Sequence, residues 1–429
     1  MKILLLTDEV WNDRIHGNNV LSNWFNGFDA EFAQIYCSPG LPRNSCCKRY
    51  FQITDSMMIR SVLKGTKAGA VVTQMEQGTS AYESTDVGHI GWMRKSCGNI
   101  LRFLKSAVWT MGKYDESAMA EFIREFQPDI VFSPRMATPK MLRLERIVRK
   151  YTDCPVVAFT GDAEYSLRMF ALSPFAWVNK FWTRAMLRKN TGFYSLYYTL
   201  SDEQKEEYEQ AFTCPMKILR KCVPSAELEQ VEPTALHRPI RMVYAGKLYC
   251  NRWKTLAKIG EAICRLNEDA QKIRLDIYTK DKLTDEQKRA LDFPGSVYLN
   301  GPITQQEVLD EYHKSDIALH IESFDLQYRL ATRVSFSTKI IDCLCCGCAV
   351  MAVAWKDHSG LTYLKKEDAA ICVDDYRQLG DVLSNFAEHP ETVQLYKQKA
   401  ISCMQRNHGR RNVQDALAKD MKNVILSSK

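Results

Sequence analysis

Short apolar segments of strand length alternate with helix-length segments from one end of this chain to the other, and the alternation runs through twice. The first series is Lys2–Thr7, Phe32–Cys37, Asp129–Ser133, Pro155–Phe159, Tyr194–Leu200 and Met216–Cys222. The second is Ile240–Ala245, Ile273–Tyr278, Val297–Leu299, Asp316–Ile321, Ala349–Val353 and Ala370–Val373. Strands separated by helices cannot pair as hairpins. They must pair in parallel, with helices covering both faces of the sheet. The spacing therefore predicts an α/β chain with two Rossmann-like, doubly wound parallel-sheet domains. At 429 residues the chain is also too long for one ordinary core.

The break between the series falls at 223–239, which holds Pro224, Pro233 and Pro239, scattered acids and no period. We read 1–222 as the first domain, 223–239 as a linker and 240–405 as the second domain. Residues 406–429 are expected to form a terminal helix returning to the first domain. The stretch from Arg43 to Lys113 is less regular and reads as an elaboration of the first domain. Ser201-x-x-Gln204, Thr284-x-x-Gln287 and Thr304-x-x-Glu307 have the spacing of capping boxes at helix starts.

Composition narrows the class. Hydrophobic content of 45% and charged content of 25% are those of a soluble globular protein, and no apolar run reaches the roughly 20 residues that a membrane span needs. The apolar part of Met1–Glu9 is too short for a secretory signal and reads as a strand. Fifteen cysteines lie without disulfide-like spacing, which suits reduced thiols and a cytoplasmic location. Cys343, Cys345, Cys346 and Cys348 crowd one short helix. They cannot all converge on a tetrahedral metal, so they are expected to pack as small apolar side chains.

Chemistry concentrates between Asp316 and Ala352, which read as strand, polar loop, short helix, glycine and strand. The loop feeds Ser337 and Thr338 into a helix start, where backbone N–H groups favour an anion. Lys339 opposes the helix dipole in the first turn, and a bound diphosphate would offset that opposition. Asp342, one turn on, is placed to hold a sugar hydroxyl. Together these predict a nucleotide diphosphate ligand in the second domain. No Gly-x-Gly-x-x-Gly follows the first strand, which argues against a dinucleotide oxidoreductase.

The ordered pieces Arg241-Met-Val-Tyr-Ala-Gly-Lys247, Asn251-Arg-Trp-Lys-Thr-Leu256, Asn300-Gly-Pro-Ile303, Tyr312-His-Lys-Ser-Asp316 and Ser337–Ala352 resemble retaining glycosyltransferases of family four. In the first half, Gln127–Phe132, Pro155–Phe159 and Thr199–Asp202 resemble that family's strand endings. The resemblance implies the GT-B architecture, with two Rossmann-like domains facing a central cleft, the first binding acceptor and the second binding a nucleotide sugar. It implies donor phosphates against Lys247 and Arg252, a ribose-binding carboxylate at Asp342, and a glycine loop at Gly17, within His16-Gly17-Asn18-Asn19, over the donor. It implies transfer of a sugar to a hydroxyl of a glycan or lipid-linked acceptor, with retention, in surface polysaccharide synthesis.

Two departures stand out. The family's Glu-x₇-Glu pair is represented by Val334 and Asp342, with Glu322 nearby at a different spacing. The histidine after the fourth strand is replaced by Gly161-Asp162. Asp162 and Glu322 are accordingly the candidate catalytic carboxylates. With Lys247, Arg252 and Lys339 to neutralise the leaving diphosphate and no Asp-x-Asp pair in a suitable loop, no metal or other cofactor is expected. A nucleotide-sugar epimerase and a non-catalytic binder of nucleotide sugars or glycans remain alternatives.

Two stretches are basic and free of acids. Between Asp86 and Asp115, Arg94, Lys95, Arg102, Lys105 and Lys113 are interleaved with Trp92, Phe103 and Trp109. Between Glu164 and Asp202, Lys180, Arg184 and Arg188 recur at helical spacing among Trp177, Phe181 and Trp182. Basic amphipathic helices of this kind suit an anionic membrane surface, and a Rossmann helix with its stripe in the core is the competing reading. No recognised module points to nucleic acid.

Overall fold

The computed structural model describes residues 1–14, 20–72, 91–223, 231–233 and 235–428, the side chains of 91–99 and Gln305 excepted. Gly17 and its loop lie outside the described residues. The chain divides into two compact units, Met1–Leu219 with Gln414–Lys429, and Arg220–Val413.

In the first unit, eight strands form one sheet: β1 (Lys2–Thr7), β2 (Glu31–Tyr36), β3 (Cys47–Gln52), β4 (Ala70–Val72), β5 (Ile130–Pro134), β6 (Val156–Phe159), β7 (Tyr194–Thr199) and β8 (Met216–Ile218). Their order is β4-β3-β2-β1-β5-β6-β7-β8. All neighbours are parallel except β3 and β4. The apolar run Ile3–Leu6 in β1 is fully buried, as a central strand covered on both faces must be. The stretch 43–113, expected to be irregular, contains β3 and the antiparallel edge strand β4. Both carry little periodic signal, because β3 places Lys48 and Arg49 toward solvent and β4, the edge, is mostly exposed. The terminal segment joins this unit through Gln414, whose Nε2 donates to the Trp24 carbonyl at 2.7 Å, and Asp420, which accepts from the Tyr198 hydroxyl at 2.8 Å.

The second unit has six parallel strands: β9 (Ile240–Ala245), β10 (Ile273–Tyr278), β11 (Val297–Gly301), β12 (Ile317–Ile321), β13 (Ala349–Val353) and β14 (Ile371–Val373). Their order is β11-β10-β9-β12-β13-β14. Thr284 and Thr304 form complete capping boxes with Gln287 and Glu307. Ser201 caps its helix, but Gln204 Oε1 accepts from Leu200 N instead of closing the box. Asp316, at the start of β12, is buried in an ion pair with Lys397 at 3.0 Å and also accepts from Arg241 N at 2.9 Å. The cysteines of 343–348 pack as expected: Cys343, Cys346 and Cys348 are fully buried, and burial holds the Cys343 thiol up at about 12.

Each sheet reverses its winding once, between β1 and β5 and between β9 and β12. Crevices at the carboxyl ends of such strands are where open α/β sheets take ligands.

Candidate functional site

At the reversal in the second unit, β9 ends in Ala245-Gly246-Lys247. Gly246 has no side chain, and the space a methyl would fill is taken by the Lys339 ammonium. Lys339 thus leans across the end of β9, 5.5 Å from the centroid of the Tyr244 ring. Burial first, and then the nearby Arg252 guanidinium, lower its pKa. A cation held where its charge is disfavoured is a receptor for an anion. Lys247 is exposed beside it, and its carbonyl accepts from the Tyr244 hydroxyl at 2.7 Å.

Arg252 opens the helix Arg252–Leu266, and two left-handed residues before it, Cys250 and Asn251, turn the chain into place. Its side chain is not a bare phosphate cation. Nη2 donates to Glu322 Oε1 at 2.6 Å and Nε to Oε2 at 3.1 Å, a buried two-point pair. Glu322, first residue after β12, is 2% exposed and committed to Arg252. Glu322 so engages two of the five guanidinium N–H donors. Lys254 pairs with Asp325 at 2.9 Å.

Ser337 and Thr338 are half-buried and precede the helix Lys339–Leu344. That helix is six residues long, and the Ile340 and Ile341 amides are already bonded to the Ser337 and Thr338 carbonyls. The anion-attracting element here is therefore the Lys339 ammonium more than the helix start. Asp342 is held in an ion pair by Lys221.

Reading the sequence missed a second layer. His320 lies in β12 and His358 in the loop after β13, their ring centroids 5.9 Å apart. Burial drives the His320 pKa well down and lowers that of His358, with Arg252 adding to both. His320 Nε2 and Trp355 Nε1 are buried with no partner among the described residues, and the Arg329 guanidinium stands 5.0 Å from the Trp355 ring centroid. The loop 354–358 follows a strand end, which was the available signal; His320 sits inside an apolar strand and gave none.

In the first unit, Asp8 follows β1 at the reversal, pairs with Lys140 at 3.0 Å and accepts from Met136 N at 2.9 Å. Asp162 lies in the loop after β6. It is exposed, its carbonyl accepts from Gln204 Nε2 at 2.8 Å, and surrounding protein raises its carboxyl pKa. Two residues on, Glu164 is a carboxylate the sequence reading passed over. It accepts from Ala137 N at 2.5 Å and from the Thr160 hydroxyl, tying the loops after β5 and β6 together. Burial pushes it up to about 7, against the lowering effect of Arg135. The neighbouring Lys180 is brought down to about 8 by burial, and its ammonium donates to the Ala163 carbonyl at 2.8 Å.

Among the described residues no group of three His, Cys, Asp or Glu side chains is arranged to hold a metal ion, and no helix is long and apolar enough to cross a membrane.

Residues 240–418 match the family model for glycosyl transferase-like proteins. No curated protein matches the sequence significantly. Among solved structures, a sucrose-phosphate synthase of Thermosynechococcus elongatus is 10% identical, with all of both chains covered and a TM-score of 0.63. HepE of Anabaena in complex with UDP and glucose is 12% identical over 99% of this chain and 100% of that one, with a TM-score of 0.59. The E. coli trehalose-6-phosphate protein bound with UDP-2-fluoro glucose is 8% identical over 98% and 99%, with a TM-score of 0.61. The likeness to these structures establishes the fold: the chain has the two-domain GT-B architecture, and its residues 240–418 carry the match to the glycosyl transferase-like family.

Proposed function

We propose that this enzyme moves a sugar from a nucleotide-diphosphate sugar to a hydroxyl of a glycan or lipid-linked acceptor, with retention and without a metal, in cytoplasmic synthesis of a surface polysaccharide. The observation that carries the reading is the Lys339 ammonium lodged against Gly246 at the β9–β12 reversal. A diphosphate there gains a cation already stripped of water, and the leaving group's growing charge meets a preorganised partner. Lys247 and the outer edge of Arg252 add charge, Ser337 and Thr338 add hydroxyls, and Asp342 exchanges Lys221 for a ribose hydroxyl. Glu322 acts through Arg252 by fixing its plane. Asp162 is the carboxylate of the acceptor side. Structures of similar fold hold UDP with glucose and UDP-2-fluoro glucose, which supports a nucleotide-sugar donor here.

A thermal-shift screen of nucleotide sugars on the parent and on Lys339→Ala tests the donor site. The expected result is a stabilising donor whose effect disappears in the variant. If no nucleotide or nucleotide sugar raises the melting temperature, the donor assignment fails. Isomerised donor formed without acceptor would instead identify an epimerase, and donor binding without transfer to a broad acceptor panel would identify a non-catalytic binder.

A further inference from the structure

Helix Pro174–Thr191 of the first unit follows the loop that carries Asp162 and Glu164, and three of its four sides are accounted for. Thr183, Met186, Leu187 and Asn190 are buried on the sheet side. Phe175 and Trp182 meet Phe103 at 5.7 and 6.3 Å, and Asn179 accepts from the Ser106 hydroxyl, so that side packs on helix Gly91–Met111. Lys180 and Arg184 bond the Ala163 and Tyr165 carbonyls, and Arg188 Nε donates to the Tyr165 hydroxyl at 2.6 Å. The fourth side faces solvent, and an ordinary solvent side would be charged. Here it carries Val178, 50% exposed, and Phe181, 54% exposed. The preceding loop adds Phe170 at 56% and Leu172 at 89%, and the neighbouring helix adds Leu104 at 52%.

Exposed apolar side chains gathered in this way mark a contact surface. Charge decides what kind. No acid occurs between Glu164 and Asp202, while Arg168, Arg188 and Lys189 are exposed there and Arg102 is exposed on the adjoining helix. Asp55, a carboxylate against the adjoining helix, is occupied by Lys105 and by Trp109 Nε1, both at 2.6 Å. Apolar residues that dip a few ångströms, rimmed by cations, match an anionic headgroup layer.

We infer that Phe170, Leu172, Val178 and Phe181 enter the surface layer of an anionic bilayer, with Arg102, Arg168 and Lys189 against its headgroups. The docking stands on this surface alone; its purpose, presenting a lipid-linked acceptor to the loop that bears Asp162, rests on the glycosyl-transfer reading. Because the same loop carries Asp162 and the most exposed apolar residue, docking places the acceptor side of the first unit at the bilayer face.

The test is sedimentation of the full chain with vesicles of phosphatidylcholine alone and of phosphatidylcholine with phosphatidylglycerol. Binding is expected only to the anionic vesicles. Leu172→Ser with Phe181→Ser should weaken it at least about tenfold. Arg168→Glu should weaken it about fivefold or more and should do so less at high salt. Both variants should keep the parent's melting temperature and its response to nucleotide sugar, so a folding defect or a failed donor assignment reads separately from lost docking. No binding to anionic vesicles overturns the inference, as does binding that the double variant leaves unchanged. A parent that is dimeric, ignores vesicles and becomes monomeric in the double variant overturns it in favour of a second copy.

Discussion

Gly246→Ala tests whether the donor site depends on where the Lys339 charge sits rather than on its presence. The added methyl would overlap the Lys339 ammonium and approach the Tyr244 hydroxyl at 3.1 Å. Gly246 does not have a positive φ, so alanine meets no backbone strain there. The overlapping atom is the tip of a flexible side chain and can swing aside. The fold should therefore hold, with a melting temperature close to the parent's, while the ammonium moves off the end of β9. A charge-assisted contact contributes about 1.5–3 kcal/mol, so diphosphate affinity should fall roughly 10- to 150-fold. Lys339→Ala should fall by a similar factor, and the double variant little further, because both changes remove one contact.

Calorimetric titration with the nucleotide diphosphate found by the thermal-shift screen gives these affinities, and the matching nucleoside, which lacks phosphate, is the control. The nucleoside should bind all three proteins alike. The pH dependence has a definite sign. Burial and Arg252 lower the Lys339 pKa, so the free protein loses this proton at a lower pH than an ordinary lysine does. An anion binds only the protonated form well, so parent affinity should decline as pH rises through that lowered pKa, and the Lys339→Ala profile should lack the decline. If Gly246→Ala binds the diphosphate as tightly as the parent, the ammonium does not act from its place over Gly246 and the reasoning is wrong.

Arg252→Ala leaves Glu322 buried and unpaired, and its expected cost is about 3–5 kcal/mol of unfolding free energy, read from denaturant midpoints; a variant as stable as the parent would mean the pair is solvated and Arg252 free for donor. Lys397→Ala removes the buried cation from Asp316, which keeps its bonds from Arg241 N and His237, so it should cost less than Arg252→Ala, about 1–3 kcal/mol, in the same measurement. Glu164, pushed up to about 7, is more easily ionised in the unfolded chain than in the folded one. Its protonated form favours folding, so this contribution is present below pH 4.5 and is lost as pH rises toward 7. Glu164→Gln should remove that dependence, gaining about 1–3 kcal/mol at most over the parent at pH 8, and unfolding midpoints across pH 4–8 that run parallel for both proteins would refute it.

What the sequence revealed and what it hid follow from one distinction. Central parallel strands announce themselves because both their faces are buried: Lys2–Thr7, Ile240–Ala245, Ile273–Tyr278 and Ala349–Val353 have the expected bounds to the residue. β3 and β4 were hidden because β4 is a short, mostly exposed edge strand and β3, next to it, carries Lys48 and Arg49 toward solvent, so the apolar pattern of both is weak. The same distinction governs the site. Residues at strand ends, such as Gly246, Lys247 and Glu322, could be placed on the sheet from order alone, yet order says nothing of which cation a carboxylate chooses. Arg252 and Glu322 lie 70 residues apart and meet only because β9 and β12 are neighbours across the reversal. That pairing alters the chemistry that a residue-by-residue reading assigns. Of the three cations expected at the diphosphate, Arg252 brings its own counter-ion and Lys247 stands in water. Lys339 alone is both desolvated and placed over a glycine. A donor phosphate should therefore depend on Lys339 more than on Arg252, and for a reason of geometry: glycine at 246 leaves room for the ammonium to reach the end of β9, where the sheet's reversal opens the crevice.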